Sequence, residues 1–370
     1  MQAGASNCIL VMTILQLCAR SPRQVGKTTL SKNLNLHFEY LNFDDSEERK
    51  IILNRSWKRD IDLIIFDELH KKPKWKSWIK GIFDTEGVRP RLLITGSARM
   101  DIFKKGSDSL TGRHFNYRLH PFSVAEIKDQ MPAQEILNRL MEVGGFPEPF
   151  LDGSKEFAKR WRSTHIDRIL KEDLLELEYV RNIKLIEILT DLLSERVGSP
   201  VSYSSLARDL EISPHTVKKW IGILESLYVV FVVPPYSKNL ARAILREPKI
   251  YFYDTGRIKD DPAVRFKNIV ATSLLKKIHQ GQDLRGEKSQ LYYVRDKEKR
   301  EVDFLTIVDK KIIDLVEVKL SDDNISSSLV YYNEILKPQS PAQVVYNLTH
   351  DQIKKQIPVF KAADWLANQG

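Results

Sequence analysis

Short apolar runs punctuate the first third of the chain: CILVMTILQL (8–17), HFEYLNF (37–43), DLIIFDE (62–68) and RLLITGS (91–97), with helical stretches between them. Buried strands of a parallel sheet are apolar on both faces, so up to about Phe122 the pattern predicts alternating strands and helices. From Ala133 to Ser194 the spacing turns helical, with Ile136, Leu140 and Val143, then Ile166, Ile169, Leu170 and Leu174 as the inward face. That stretch reads as a helical lid. Val201 to Pro235 holds two short helices followed by the β-rich run YVVFVVPPY. From Lys249 onward strand-like runs return as KIYFYD, QLYYVRD, EVDFLTIV, IIDLVEVKL and AQVVYNL, with helices between them, and read as a separate α/β domain.

The expected class is therefore α/β and multidomain, with divisions at 1–130, 131–196, 197–240 and 241–370. The length of 370 residues allows two or three domains, each with its own core. At 42% hydrophobic and 29% charged residues the composition is that of a soluble globular protein. Lys and Arg exceed Asp and Glu by nine, and the pI near 9.2 favours polyanionic partners such as nucleotides or nucleic acid. Cys8 and Cys18 are the only cysteines, so there is no disulfide framework and no Cys/His metal spacing. A reducing, cytoplasmic setting is expected. The apolar run at 8–17 has no Lys or Arg before it and is too short to cross a bilayer, so neither export nor a membrane role is expected.

Ser21-Pro22-Arg23-Gln24-Val25-Gly26-Lys27-Thr28 follows one of the apolar runs and precedes a helix starting Thr29-Leu30. This is the setting of a phosphate loop: turning backbone aims N–H groups at phosphate oxygens, Lys27 reaches the β/γ-phosphates, and the Thr28 hydroxyl binds Mg²⁺. Ser21 stands where the usual pattern has Gly. Because Gly tolerates positive φ and Ser pays for it, weakened nucleotide affinity is expected. The bland alternative is a strand-to-helix turn carrying a solvated lysine.

Asp67-Glu68 closes the next apolar run but one. Carboxylates at the carboxyl end of a parallel strand sit where such sheets place ligands, with Asp67 on a hydrated Mg²⁺ and Glu68 orienting the attacking water. Thr95, or failing that Ser97, ends a third strand in position to sense the γ-phosphate. Arg113, in LTGR, offers a finger for a neighbouring subunit's γ-phosphate, and its alternative is a structural arginine.

The strings PRQVGKTTL, IIFDELHKKPKW, LLITGSAR, LTGR, PFSVAEI and GGFPEP, followed by HIDRILKEDLLE, KIYFYDTG and YYVRDKEKREVDFL…LVEVKL, resemble the archaeal and bacterial AAA-type ATPases. Those proteins carry an uncharacterised C-terminal domain similar to PD-(D/E)xK nucleases. The resemblance spans nearly the whole chain in order. It implies an AAA-type core, ATP and Mg²⁺ as ligands, possible assembly into a homo-oligomer, and the roles given above to Lys27, Thr28, Asp67 and Glu68.

In the middle section, Val201–Leu210 forms one helix and Ile212-Ser213-Pro214 starts another, which buries Val217, Ile221 and Leu224 and leaves His215, Lys218 and Lys219 on an outer face. With the following β-rich run as a wing this makes a winged helix-turn-helix, whose second helix is a candidate for DNA contact. The alternative is a packing module with solvated lysines. In the last section, Asp303 lies in EVDFLTIV, and Glu317 and Lys319 sit two apart on one face of the next strand. Two carboxylates there suit a Mg²⁺ that activates water, with Lys319 steadying the attacking oxygen. The helical acid of similar proteins is replaced by Lys267 in Arg265-Phe266-Lys267-Asn268. Three readings stand: a DNA-associated ATPase, a nucleotide-gated interaction switch without DNA, and an ATP-regulated nuclease.

Overall fold

The computed structural model describes residues 16–87, 89–96, 114–170, 182–237 and 247–370, with backbone alone for 16–20. Ser97, Arg113 and Leu174 lie outside them. The chain divides into two compact units, Met1–His120 and Pro121–Gly370.

The first unit is built on a five-stranded sheet in the order β2-β3-β4-β1-β5, all neighbours parallel. Its strands are β1 (Gln16–Arg20), β2 (Phe38–Asn42), β3 (Leu63–Asp67), β4 (Arg91–Thr95) and β5 (His114–Arg118), joined in part by α1 (Lys27–Lys32), α2 (Ser46–Asn54) and α3 (Trp75–Glu86). Every residue of β3 is buried. Ile64 and Phe66 face a core containing Leu41, Ile52, Trp57, Ile79 and Ile94, whereas Leu63 and Ile65 face a second core with Leu34 and Leu93. Burial on both faces is the reason the run is apolar without alternation, each such side chain contributing about 1.5–3 kcal/mol. β4 separates β1 from β3, so the loop leaving β1 and the carboxylates ending β3 face each other across one intervening strand. That spacing leaves room for a ligand at the carboxyl ends.

The second unit begins with α4 (Val124–Ile127), α5 (Ala133–Val143), α6 (Pro147–Asp152), α7 (Lys155–Arg168) and α8 (Ile183–Ser194). Ile136, Leu140, Val143, Ile169 and Leu170 are buried, as their spacing requires, and Ile166 is half-buried. Next come α9 (Tyr203–Asp209) and α10 (Pro214–Ser226), then β6 (Val230–Val233), which pairs antiparallel with β7 (Lys249–Phe252). The run KIYFYD, expected to open the C-terminal sheet, thus belongs to a two-stranded sheet with β6. Alternation along a strand says which faces are buried but not which partner it has.

The C-terminal sheet is mixed and six-stranded, in the order β12-β13-β11-β10-β9-β8. It comprises β8 (Ser289–Arg295), β9 (Glu301–Val308), β10 (Lys311–Lys319), β11 (Ser340–Val345), β12 (Gln352–Lys354) and β13 (Ile357–Lys361), with α11 (Pro262–Arg285), α12 (Ser327–Leu336) and α13 (Ala362–Ala367). α11 packs on β7, β8, β10 and α5. Fully buried Asn268 of α11 answers the free end of β7, accepting from the Phe252 N–H at 2.8 Å and donating to the Phe252 carbonyl at 2.9 Å. Its side-chain amide thereby satisfies backbone groups that a further strand would otherwise take.

The strings GGFPEP and KIYFYDTG are brought together by Arg162 of α7. Its Nε donates to Asp254 Oδ2 at 3.2 Å and its Nη2 to the Val143 carbonyl at 2.6 Å. A Cβ on Gly256 would lie 1.8 Å from Arg162 Nη2, and one on Gly144, at φ +80°, would lie 2.6 Å from Asp254 Oδ1. These glycines make room for a buried ion pair. Gly256→Ala is accordingly expected to destabilise the second unit by about 2–4 kcal/mol, read from the denaturant midpoint, because Arg162 must leave a buried carboxylate. A loss under about 0.5 kcal/mol would show that the guanidinium moves aside freely.

Candidate functional site

At the carboxyl end of the first sheet, the loop after β1 turns through Gln24 at φ 57° and Gly26 at φ 95° before α1 begins at Lys27. Two left-handed residues this close fold the loop back on itself, the geometry that turns successive N–H groups inward. Ser21 is not among the positive-φ residues. The steric cost expected of serine there does not arise, and with it goes the expected reason for weakened affinity: the left-handed positions fall at Gln24 and Gly26 instead. Ser21 is fully buried, and its Oγ has no hydrogen-bond partner. Pro22 and Val25 are also buried, Arg23, Gln24, Gly26, Lys27 and Thr28 are half-buried, and Thr29 is exposed. The Lys27 ammonium donates to the Pro22 carbonyl at 2.7 Å and lies 3.4 Å from that of Ser21. The charge that would meet a phosphate is held inside the loop by backbone oxygens.

Opposite the loop, Asp67 is 5% exposed and accepts four hydrogen bonds. Thr28 Oγ1 and Tyr40 Oη donate to its Oδ2 at 2.9 and 2.7 Å, and Thr95 Oγ1 and the Glu68 N–H donate to its Oδ1 at 2.6 and 3.1 Å. Burial alone would push this carboxyl up, but the bonds from Thr95, Tyr40, Thr28 and the Glu68 backbone hold it below its usual range. Burial, then the Asp67 bond and charge, push the Tyr40 phenol up, so Tyr40 stays a donor. Sheet register sets this group: Asp67 is flanked by Asn42 of β2 and Thr95 of β4. Thr95, expected to sense the γ-phosphate, donates its hydroxyl to Asp67 and is 1% exposed.

Glu68 takes φ 56° at the strand end, which turns it out of the ladder. Its Oε2 lies 3.6 Å from both His70 Nε2 and Lys71 Nζ, and Lys71 is shared with Asp44 at 2.5 Å. Burial raises the Glu68 carboxyl above its usual value, with Lys71 opposing and Asp67 adding to the rise. A buried carboxylate made more basic than usual is suited to accept a proton.

Residues 18–128 match a family described as AAA domain, and residues 134–259 and 266–365 match two described as domains of unknown function, DUF8612 and DUF4143. The chain carries an AAA domain. The second of these, at 266–365, lies in the C-terminal part, where the resemblance implies an uncharacterised domain. Among curated relatives, an uncharacterized protein of Mycobacterium tuberculosis is 29% identical over 241 residues, 64% of this chain and 53% of the relative. One of Methanocaldococcus jannaschii is 25% identical over 361 residues, 85% of this chain and 77% of the relative. The chain spans about half the length of the mycobacterial relatives it matches. Among solved structures, Aeropyrum pernix ORC1 in complex with DNA aligns at TM-score 0.32 and 13% identity, covering 72% of this chain and 89% of that one. A single-site variant of Thermotoga maritima RuvB aligns at 0.30 and 15%, covering 61% and 85%. Alignments at these scores add nothing to the AAA assignment.

An AAA domain implies nucleotide binding, typically with Mg²⁺. The residues fit both. Thr28 and Asp67 bring a hydroxyl and a carboxylate within 2.9 Å, the oxygen donors a hard cation takes, and the inward-turned loop carries its own ammonium.

In the second unit, α10 buries Val217, Trp220, Ile221 and Leu224 and leaves His215, Lys218 and Lys219 exposed. Further on, Asp303, Glu317 and Lys319 do come together, but with company. Lys267 Nζ lies 2.7 Å from Asp303 Oδ1 and Lys249 Nζ 3.6 Å from it, while the Val318 N–H donates to Oδ2 at 3.0 Å. Lys319 pairs with Glu317 Oε1 at 2.7 Å. The Mg²⁺ expected on these two carboxylates does not fit the residues present, since the Asp303 charge is already met by two ammonium groups. No group of three or more His, Cys, Asp or Glu suited to a metal occurs among the described residues. Nor is any described helix long and apolar enough to cross a membrane.

Proposed function

We propose that the first unit binds ATP with Mg²⁺ and hydrolyses it to ADP and phosphate. The observation that carries this reading is the direct contact of Thr28 with Asp67, beside a loop whose lysine already sits within it. On binding, Lys27 exchanges the Pro22 and Ser21 carbonyls for phosphate oxygens, which are better partners for an ammonium because they are charged. Thr28 and Asp67 would hold the Mg²⁺, which when bound neutralises charge on the phosphates. Thr95 and Tyr40 act as positioning residues that fix Asp67, while Glu68 orients the attacking water and takes its proton. Arg113 is assigned to the γ-phosphate of a neighbouring copy in a homo-oligomer.

The test is phosphate release by the purified chain. Turnover should require Mg²⁺, and Asp67→Asn should need about 10–100-fold more Mg²⁺ for the same rate. Turnover that continues unchanged in chelator would remove the metal from the account.

DNA is the partner we assign to the second unit, through α10 as the second helix of a winged helix-turn-helix. Its apolar face is buried and its basic face is exposed in a chain of net charge +9. Lys218→Ala with Lys219→Ala should weaken duplex binding and lower the slope of log affinity against log salt by about two. An unchanged slope would assign the helix to packing alone and favour the nucleotide-gated switch.

A further inference from the structure

We propose that the C-terminal domain holds an internal cation in place of a metal ion: Lys267 occupies the divalent-cation position of its carboxylate pocket, so the domain takes up no metal and does not cleave nucleic acid.

The pocket is made by a distortion of the sheet. Opposite β8, Leu305 pairs with Tyr292 and Val302 with Val294, so β9 spends one residue more than β8 across Asp303 and Phe304. Such a bulge re-aims side chains. Val302 and Leu305 both join the core shared with Leu329 and Tyr332 of α12. Asp303 meets Lys267 of α11, and Phe304 meets the ring of Tyr251 in β7 at 5.5 Å. Asp303 ends 4% exposed, where a lone carboxylate is untenable without a cation.

That cation is already present, and in duplicate. Lys267 supplies the nearer ammonium, and Lys249, fully buried on β7, supplies the other while also pairing with Glu301 at 2.5 Å. Arg295 lies 3.3 Å from the other Glu301 oxygen, and Lys319 answers Glu317. Every carboxylate of the cluster therefore has a basic partner from the chain itself. The Lys267 stem passes close over Gly198, where a Cβ would lie 3.1 Å from its Cδ. Burial opposes the Lys267 charge, but the charge of and bond to Asp303 outweigh it and raise the group above its usual value. A Mg²⁺ needs near-octahedral oxygens at about 2.0–2.1 Å, and here an ammonium stands against the first of them. The same ion pairs tie β7 to β9 and α11, so the cluster acts as a joint between the β6–β7 pair and the C-terminal sheet.

The inference stands apart from ATP binding, and its test weakens metal uptake by the first unit. In the full chain carrying Asp67→Asn, calorimetric titration with Mn²⁺ should show no uptake up to about 1 mM. Adding Lys267→Glu should create one Mn²⁺ site, at least about tenfold tighter than anything in the parent, and Asp303→Asn should abolish it. Uptake by the parent that disappears with Asp303→Asn would overturn the proposal. So would a Lys267→Glu chain with parental circular dichroism and no new site. Should Lys267→Glu not fold, the wild-type chain decides: no Mg²⁺- or Mn²⁺-dependent cutting of single- or double-stranded DNA is expected, and cutting lost in Asp303→Asn would refute it.

Discussion

Glu68→Gln is expected to lower ATP turnover by about 10²–10⁴-fold while ATP still binds. The substitution keeps the size and one acceptor oxygen but removes the negative charge and with it the capacity to accept a proton. Glu68 sits next to the carboxylate assigned to the metal, and burial has made it more basic than an exposed glutamate. Its neighbours Lys71 and His70 lie 3.6 Å away, close enough to steer the side chain without a tight bond that would immobilise it. Because Asp67 keeps its four donors in this variant, nucleotide affinity should stay within about threefold of wild type. Equal turnover in Glu68→Gln and wild type would move the proton acceptor to another group.

Lys27→Ala should have the largest effect on binding, lowering ATP affinity by about 100-fold or more. Charge-assisted hydrogen bonds contribute about 1.5–3 kcal/mol each, and each 1.4 kcal/mol is tenfold. The ammonium leaves two backbone carbonyls to reach the phosphates, so the net effect is a difference between two bonded states. The loop itself should survive the change, since its turn is set by Gln24 and Gly26 in left-handed conformations, not by the lysine. Circular dichroism and the melting transition of the variant should therefore match wild type, while titration with a fluorescent ATP analogue shows the loss.

The arrangement of the first unit's candidate site was legible in the sequence because its parts are contiguous. A run apolar on both faces, a loop of fixed spacing and an acidic pair each announce themselves within ten residues, and strand parallelism then places them at one edge. Tyr40 was not legible. Within HFEYLNF it reads as one more strand residue, and only the strand order that sets β2 beside β3 brings its hydroxyl to Asp67. The bond from Thr95 to Asp67 was not legible for a related reason, since the register that puts Thr95 opposite Asp67 is a property of β3 with β4 and not of either run alone. Ser21 was weighed on the φ its position was expected to take, and the backbone distributes its left-handed residues differently.

In the second unit, helical period and alternation located the elements well but not their partners. KIYFYD pairs with β6, and so carries Lys249 to Asp303 from outside the sheet that holds the carboxylates. Strict alternation also missed the bulge at Asp303 and Phe304. The sequence did reveal lysine at position 267, but not that its ammonium is 2.7 Å from Asp303, which follows from how α11 packs across the sheet.

Calorimetric titration of ATP into the wild-type chain, with and without Mg²⁺, tests the central claim most directly. A single site of micromolar affinity that weakens about tenfold or more when the metal is chelated is the predicted result. A folded chain that takes up no ATP, or binds it equally well with and without Mg²⁺, would contradict the assignment of Thr28 and Asp67.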